Sequence, residues 1–489
     1  MPSAHRTLVW FRGKDLRVAD HAPLRDAAAA GEVIPLFVLD PYFFAPTRAR
    51  ATPHRIQFLL ESLRELESSL ARLGSQLLVV RGRSVDVVPR LAHRWRADRV
   101  AAYGWVAPVG RERDRRVSEQ LRVPFDLSDG ETLLPPGSLR SGTGRPYAVY
   151  SAFRRAFDRA ALIGAPQPAP RRLPPLPAGL EARTVPVPTC ESLGVPINPR
   201  LQSGGEAAAR RRLRRFLDGP AGDYHRARDR LDLAGTSRLS ADLKFGTLSA
   251  RTVWTAADRA LRSTAARQAF LNELVWREFC HSTIFDRPEL LHEPFRRDFT
   301  GFPWRDRKSW WEAWVAGATG YPVVDASARQ LLAEGFVHNR ARMISASFLA
   351  KHLLIDYRRG EAHYMRYLTD GDWANNNGGW QWAAGCGADA QPYFRIFNPV
   401  SQGRTFDPTG DYVRRWVPEL ARLSNEHIHA PWTAPSDRLE GAGVRLGREY
   451  PRPIVEHRAA RERFLALAKA HFSRTTKRGT ELNDRGTES

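Results

Sequence analysis

Cysteine is scarce: the 489 residues include three, Cys190, Cys280 and Cys386, far apart and with no Cys-x-x-Cys spacing. That excludes a disulfide framework and a zinc ribbon, leaves no metal site to expect, and suits a reducing compartment, so a cytoplasmic location is expected. No apolar run approaches the ~20 residues a membrane span needs; stretches such as Val33 to Leu39 are broken by proline or charge. The first twenty residues alternate apolar and charged side chains and lack a small-residue cleavage site, so no signal peptide is expected there. No Gly-x-Gly-x-x-Gly turn follows the first apolar strand, which removes the usual dinucleotide fingerprint, and no internal repeat is visible. Acidic residues are also in deficit: 75 Lys+Arg against 53 Asp+Glu give a net charge of +22. An arginine-rich surface alone would account for the arginines but not for so large a surplus. A polyanion, DNA or RNA, is the leading partner, through counterion release and electrostatic steering.

What is present reads as two large domains. Leu8 to Phe11, Val33 to Leu39, Gln76 to Val80 and Val100 to Tyr103 read as buried parallel strands, and Arg55 to Leu73 and Asp86 to Trp95 have the apolar spacing of helices. This predicts an α/β, Rossmann-like parallel-sheet domain over 1–135. Ten prolines in the 37 residues from Gly164 to Arg200 disfavour helix interiors and central strands, so 136–202 reads as a long interdomain linker. From 203 to 472 the pattern is helical, with Ala207 to Leu217, Ala250 to Leu261, Ala266 to Phe285, Asp325 to Glu334 and Phe336 to Ile355 as helices. This predicts an all-α domain. The polar run 473–489 has little to bury and is expected to be disordered.

Four segments concentrate chemistry. Gly235 to Ser240, just before a helical stretch, places hydroxyls, backbone N–H groups and the Arg238 guanidinium where a diphosphate could be held, although an N-cap with a surface arginine is the commoner use of such a turn. On one helix face Glu273, Trp276 and Arg277 fall at i, i+3 and i+4; the bland reading is a solvated ion pair beside a core indole, the functional one a stacking surface for an extruded base. Asn339, Arg342 and Met343 share another face, beside Arg340. An amide there needs a partner, either a ligand or a neighbouring helix. Densest is Asp370 to Trp382, with two carboxylates, three asparagines and three indoles in thirteen residues, poor material for a generic core because each buried polar group needs a specific partner. Eleven of the 14 tryptophans follow the linker, which suits stacking or electron relay as well as plain core bulk.

Read together, these segments resemble the photolyase and cryptochrome family over nearly the whole chain. The likeness runs from Trp10-Phe11-Arg12 and Asp15-Leu16-Arg17 to Pro453-Ile454-Val455. The helical motifs that carry it are Thr236 to Ser240, Asn272 to Phe279, Thr319 to Ala326, His338 to Met343 and Asn376 to Trp382. The resemblance implies an antenna-type first domain and a helical domain that binds FAD, active as FADH−. Tyr224, Thr236, Ser237, Arg238, Leu239 and Ser240 would hold its phosphate and ribitol region, with Arg342, Asp370 and Asp372 around the isoalloxazine and Asn376 facing N5. An amide there can accept from a protonated N5 or donate to an unprotonated one. Glu273, Trp276, Arg277, Asn339, Met343 and Trp382 would meet the flipped lesion, and Arg340 and Arg395 the DNA phosphates. Relatives acting on (6-4) photoproducts carry histidines where this chain has Asn339 and Met343, so the pattern is that of the class I branch: a light-driven carbon–carbon lyase, expected to be monomeric, acting on cyclobutane pyrimidine dimers in DNA by electron transfer, with Glu273 stabilising the charge that develops on the dimer.

Two positions depart from the family pattern. Its relay of three tryptophans, which photoreduces the flavin, maps to Trp380, Tyr357 and Trp304, so the middle member is a tyrosine whose oxidation needs somewhere for a proton to go; Trp373 is an alternative route. Where folate-binding relatives place a glutamate this chain has Ala107. A folate antenna is therefore not expected, leaving a deazaflavin, an FMN or none. The rival readings are a cryptochrome-like blue-light photoreceptor and a DNA-binding flavoprotein without catalysis.

Overall fold

The computed structural model describes residues 5–180 and 183–485. Five strands, β1 (His5–Phe11), β2 (Gly31–Leu39), β3 (Leu78–Arg81), β4 (Arg99–Tyr103) and β5 (Phe125–Ser128), form one parallel sheet in the order β3-β2-β1-β4-β5. Helices α1 (Ala22–Ala30), α2 (Pro53–Arg72), α3 (Ser84–Arg94) and α4 (Pro108–Gln120) cover it. Alternate side chains feed two cores. Val9, Phe11, Val33, Phe37 and Leu39 pack with Leu24 of α1 and Leu60 and Leu63 of α2. On the opposite face Leu8, Trp10, Ile34, Leu36 and Val100 pack with Val88 and Leu91 of α3 and Val117 of α4. A strand buried on both faces is apolar throughout rather than alternating, which is why β1 to β4 are visible in the sequence. β5 is an edge strand with Leu127 46% exposed; it has no such run, and the sequence reading misses it.

The stretch 136–202 is not a free tether. It carries α5 (Tyr150–Ala160) and is then tied along the sheet domain: Leu173 N donates to the Leu73 carbonyl (2.7 Å), Val185 N to the Val79 carbonyl (2.9 Å), and Thr184 forms an isolated bridge with Val80.

Downstream the chain is helical: α6 (Glu206–Asp218), α7 (Ser240–Phe245), α8 (Ala250–Ala260), α9 (Thr264–Asp286), α10 (Lys308–Ala316), α11 (Pro322–Glu334), α12 (Asn339–Ser347), α13 (Tyr357–Tyr367), α14 (Trp373–Ala384) and α15 (His457–Arg485), with shorter turns between. The helix expected from Phe336 to Ile355 starts at Asn339, with His338 as its N-cap, and widens to a π-helical turn at Phe348–His352. The stretch expected to be disordered from 473 is helical to Arg485. Ala460, Phe464, Ala468 and His471 bury one face of α15, and a nucleated helix extends readily; residues 486–489 lie outside the described residues. No helix among the described residues is long and apolar enough to cross a membrane.

The chain forms two compact units, each discontinuous in sequence: Met1–His225 with Thr236–Pro288 and Arg366–Ala374, and Arg226–Gly235 with Glu289–Met365 and Asn375–Ser489. Their limits thus differ from a division at 136–202, since α6 to α9 belong to the same unit as the sheet.

Candidate functional site

In the first unit, α9 opens at an N-cap, Ser263, whose side chain accepts from Ala266 N, and presents Trp276 half-buried. The indole lies flat on Tyr150, with ring centroids 3.7 Å apart and planes within 4°, and Phe279 meets both rings edge-on. The Tyr150 hydroxyl donates to the Asn272 carbonyl (3.1 Å), so the second ring is pinned. Such a pair is held by roughly 0.5–1.5 kcal/mol beyond its burial. Glu273, one turn away, is also half-buried. Arg277 departs from expectation: it is buried, its guanidinium 3.5 Å from Glu278 Oε1, while Glu278 Oε2 accepts from Leu133 N and Leu134 N (2.8 and 3.3 Å). Its guanidinium is thus turned inward on a carboxylate adjacent in sequence rather than standing on a solvated helix face.

The turn before α7 is built around Arg238, whose φ of 52° is left-handed. A non-glycine residue holds that conformation only where its surroundings impose it. Leu239 anchors the turn by burial, and its N–H donates to Ser237 Oγ (3.4 Å). Thr236 and Ser237 are half-buried and Ser240 is exposed. Tyr224 packs edge-on against Phe216 and Phe270.

Asp372 sits in a buried charge cluster. Its carboxylate lies 3.4 Å from Lys14 Nζ and 3.6 Å from His281 Nε2. Both groups also reach Glu131, Lys14 in hydrogen-bond contact and His281 at 3.4 Å. Burial alone would raise the Asp372 carboxyl, but His281 and Lys14 overcome it and hold the group at about 2. Glu131, His281 and Asp372 bring three metal-type donor atoms within 4.8 Å of one another; the Lys14 ammonium supplies the positive charge of this cluster. Burial also weighs on two nearby basic groups. Burial lowers Arg55 to about 10, opposed by Tyr42, Asp370 and Asp372, and its Nη1 lies 3.5 Å from the Gly371 carbonyl. Lys244 is pushed well below its usual range by burial, with Arg55 and Lys14 adding to the effect. An anionic ligand beside them would relieve that penalty, so the residues fit a phosphate-bearing cofactor such as FAD.

At the carboxyl edge of the sheet the strand order reverses between β1 and β4, the usual ligand position in open α/β sheets. Trp105 is held between Lys14 (5.2 Å) and Arg113 (4.4 Å). Arg12 is buried and pairs with Asp114, leaving Nε and Nη2 without hydrogen-bond partners. Ala107, the N-cap of α4, is buried and offers no carboxylate.

In the second unit, Asn339 is exposed at the first position of α12 rather than buried in a helix interior, so the desolvation argument for it does not hold; its Nδ2 contacts Met343 Sδ at 3.7 Å. Arg340 pairs with Asp229 (2.9 Å) and lies over the Phe406 ring, while Arg342 Nε donates to the Val337 carbonyl (2.7 Å). Arg395 is exposed, and its carbonyl accepts from the buried Lys351 (3.0 Å). On α14, Asn376 Nδ2 donates to the Glu361 carbonyl (3.1 Å), Trp382 is half-buried, and Trp380 is buried against Tyr364 (5.1 Å) and Trp314 (6.1 Å). Of the expected relay, Trp304 and Tyr357 are in ring contact (6.3 Å), but among the described residues no ring contact joins Tyr357 to Trp380. The Tyr357 hydroxyl is buried with no hydrogen-bond partner, and burial pushes the phenol far above its usual range. Trp314 instead continues to the half-exposed Trp311 at 5.5 Å. Trp373 is 38% exposed.

The sequence reading does not find Tyr150, Lys14, Glu131, His281 or Glu361. Lys14 sits inside the Arg12 to Arg17 motif and could have been singled out; the others carry no local signal.

A family model described as DNA photolyase matches residues 7–174, and one described as the FAD binding domain of DNA photolyase matches residues 270–470. The chain is 40% identical to the deoxyribodipyrimidine photo-lyase of Agrobacterium fabrum, over 96% of this chain and 98% of that one. It is 38% identical to the protein of the same name from Escherichia coli, over 95% and 98%. Among solved structures it is similar to a bacterial class III photolyase from Agrobacterium tumefaciens (TM-score 0.88, 38% identity, 96% and 98% covered). It is also similar to a cryptochrome from Synechocystis (TM-score 0.86, 30% identity, 94% and 99% covered).

Proposed function

The chain belongs to the DNA photolyase family, and from that premise we propose that it repairs cyclobutane pyrimidine dimers in DNA under light, as a monomer in the cytoplasm. Reduced FAD, when bound, supplies on light absorption the electron that opens the dimer and takes it back afterwards. The protein's own groups bind and orient. The Thr236–Ser240 turn and Tyr224 take the phosphate and ribitol region, Asp370, Asp372, Arg342 and Asn376 take the isoalloxazine, and Arg340 and Arg395 take DNA phosphates. Trp276, backed by Tyr150, offers a stacking face, and Glu273 a hydrogen bond to a pyrimidine carbonyl as charge develops on it.

The observation that carries the lesion type is Asn339 against Met343 on an exposed helix start, where relatives acting on (6-4) photoproducts carry histidines. The test is a repair assay: chemically reduced protein, a thymine-dimer oligonucleotide, and thymine absorbance followed in blue light and in the dark. Light-dependent recovery supports the enzyme. Bound reduced FAD without recovery points to a photoreceptor, the reading favoured by the likeness to the Synechocystis cryptochrome.

For the antenna, the buried Ala107 and the cation-flanked Trp105 support a flat anionic chromophore, FMN or a deazaflavin, over folate. Titrating FMN into the protein should quench its fluorescence, and Arg113→Ala should weaken that binding; no quenching by either FMN or a deazaflavin would leave the protein without an antenna.

A further inference from the structure

One buried carboxyl in the second unit has no part in the function above. Glu361, on α13, is buried, and both its oxygens face Asn377 Nδ2 (3.2 and 3.3 Å). Asn377 Nδ2 also donates to the Leu290 carbonyl (2.9 Å), and its Oδ1 accepts from Gln381 Nε2 (3.1 Å). Gln381 is held in turn by the Leu290 and Glu293 carbonyls (3.1 Å each) and by Phe295 N (2.8 Å). The neighbouring amide, Asn376, gives its Nδ2 to the backbone carbonyl of the same Glu361 (3.1 Å). A carbonyl can only accept, so the Asn376 atom facing it is the NH2 group, and its oxygen is left for whatever lies on the other side.

We propose that Glu361 is a positioning residue for the flavin: its carbonyl fixes the Asn376 amide with the oxygen outward, and its carboxyl, by clamping Asn377, holds that turn of α14 in register. This rests on the reading above that Asn376 faces flavin N5. An outward oxygen accepts and cannot donate, so it favours an N5 that carries a proton and opposes one that presents a lone pair. The clamp is itself titratable. Burial raises the Glu361 carboxyl to about 7, with Asn377 and Arg358 opposing and Asp356 reinforcing. Those two charged groups stand at the start of α13, while α14 and the Leu290 segment contribute amides and a carbonyl. When the carboxyl gains a proton, one oxygen becomes a donor facing the donor Asn377 Nδ2, and the clamp loosens.

The test follows air oxidation of the reduced, FAD-loaded protein by the return of oxidised-flavin absorbance between pH 6 and 8, with the midpoint potential, in wild type, Glu361→Gln, Glu361→Ala and Asn376→Ala. Glu361→Ala is expected to oxidise roughly tenfold faster, the scale of one lost hydrogen bond. Glu361→Gln, unable to titrate, is expected to match wild type at pH 6 and to lose its pH dependence. Wild-type rates and pH profiles in both Glu361 variants, with Asn376→Ala altered, overturn the proposal and leave the reading of Asn376 standing. An unaltered Asn376→Ala overturns that reading, and the proposal with it. Should Glu361→Ala fail to hold FAD, the pH profile of Glu361→Gln decides alone.

Discussion

Trp276 has one face committed to Tyr150, and Glu273 precedes it by one turn of α9; the two allow cofactor and substrate roles to be separated at single-residue level. Glu273→Ala is expected to keep the flavin colour and lower the repair yield per absorbed photon; an unchanged yield removes Glu273 from catalysis. Tyr357 gives a second test. The Tyr357 phenol stands beside the Cys386 thiol, itself pushed up to about 12 by burial and so a poor base for the proton that oxidation releases, whereas Trp380 has Trp314 and then Trp311 in ring contact. Tyr357→Phe should therefore keep most of the light-driven flavin reduction by an external thiol, and Trp380→Phe should abolish it while sparing repair by chemically reduced protein. Equal loss in both variants would put Tyr357 back in the relay. These contrasts mark what single residues reveal. Glu273, Trp276, Asn376 and Trp380 stand out in the sequence because their types are poor filler where they occur. Lys14 and Asp372, 358 residues apart, meet only through the fold, and Arg277 turns inward on a carboxylate adjacent in sequence, a choice that helical spacing leaves undecided.

At the scale of elements, α14 is the instructive case. Its run of three asparagines and two glycines has weak helix propensity, and the sequence reading marks it as a pocket without assigning it a helix. What holds it is lateral: Asn377 and Gln381 satisfy backbone carbonyls at Leu290 and Glu293, and Trp380 fills a notch left by a glycine. A Cβ on Gly360 would stand 2.2 Å from Trp380 Cη2. Gly360→Ala is thus expected to destabilise the protein by about 1–3 kcal/mol as an overpacked core and to slow photoreduction by displacing the indole; a melting temperature equal to wild type would show that the notch has slack. Strands β1 to β4 are legible in the sequence because both of their faces are apolar, and the edge strand β5 is not.

For the whole molecule, the net charge of +22 predicts that affinity for undamaged DNA falls steeply with salt, by about a thousandfold or more between 50 and 200 mM for six or more neutralised phosphates. A flat salt profile in a filter-binding or anisotropy titration would show that the charge is spread away from the binding face. The buried charge cluster sets an acid limit. Asp372 is held at about 2 against roughly 3.9 in an unfolded chain, a depressed carboxyl, so its contribution is complete above about pH 4 and is lost as pH falls toward 2. Lys14→Met removes one of its partners and should move the acid-unfolding midpoint, followed by circular dichroism, to higher pH.

That cluster also orders events in time. Lys14 leaves the ribosome 358 residues ahead of Asp372. At about 5–20 residues per second, the sheet domain waits on the order of tens of seconds for the carboxylate that completes its charge cluster. Glu131 follows Lys14 by 117 residues and His281 comes later still, so for most of that interval the nascent chain holds at most the ammonium and one carboxylate of the cluster. Its early segments are thus translated complete yet electrostatically unfinished, and the first compact unit becomes whole only when most of the protein has been made.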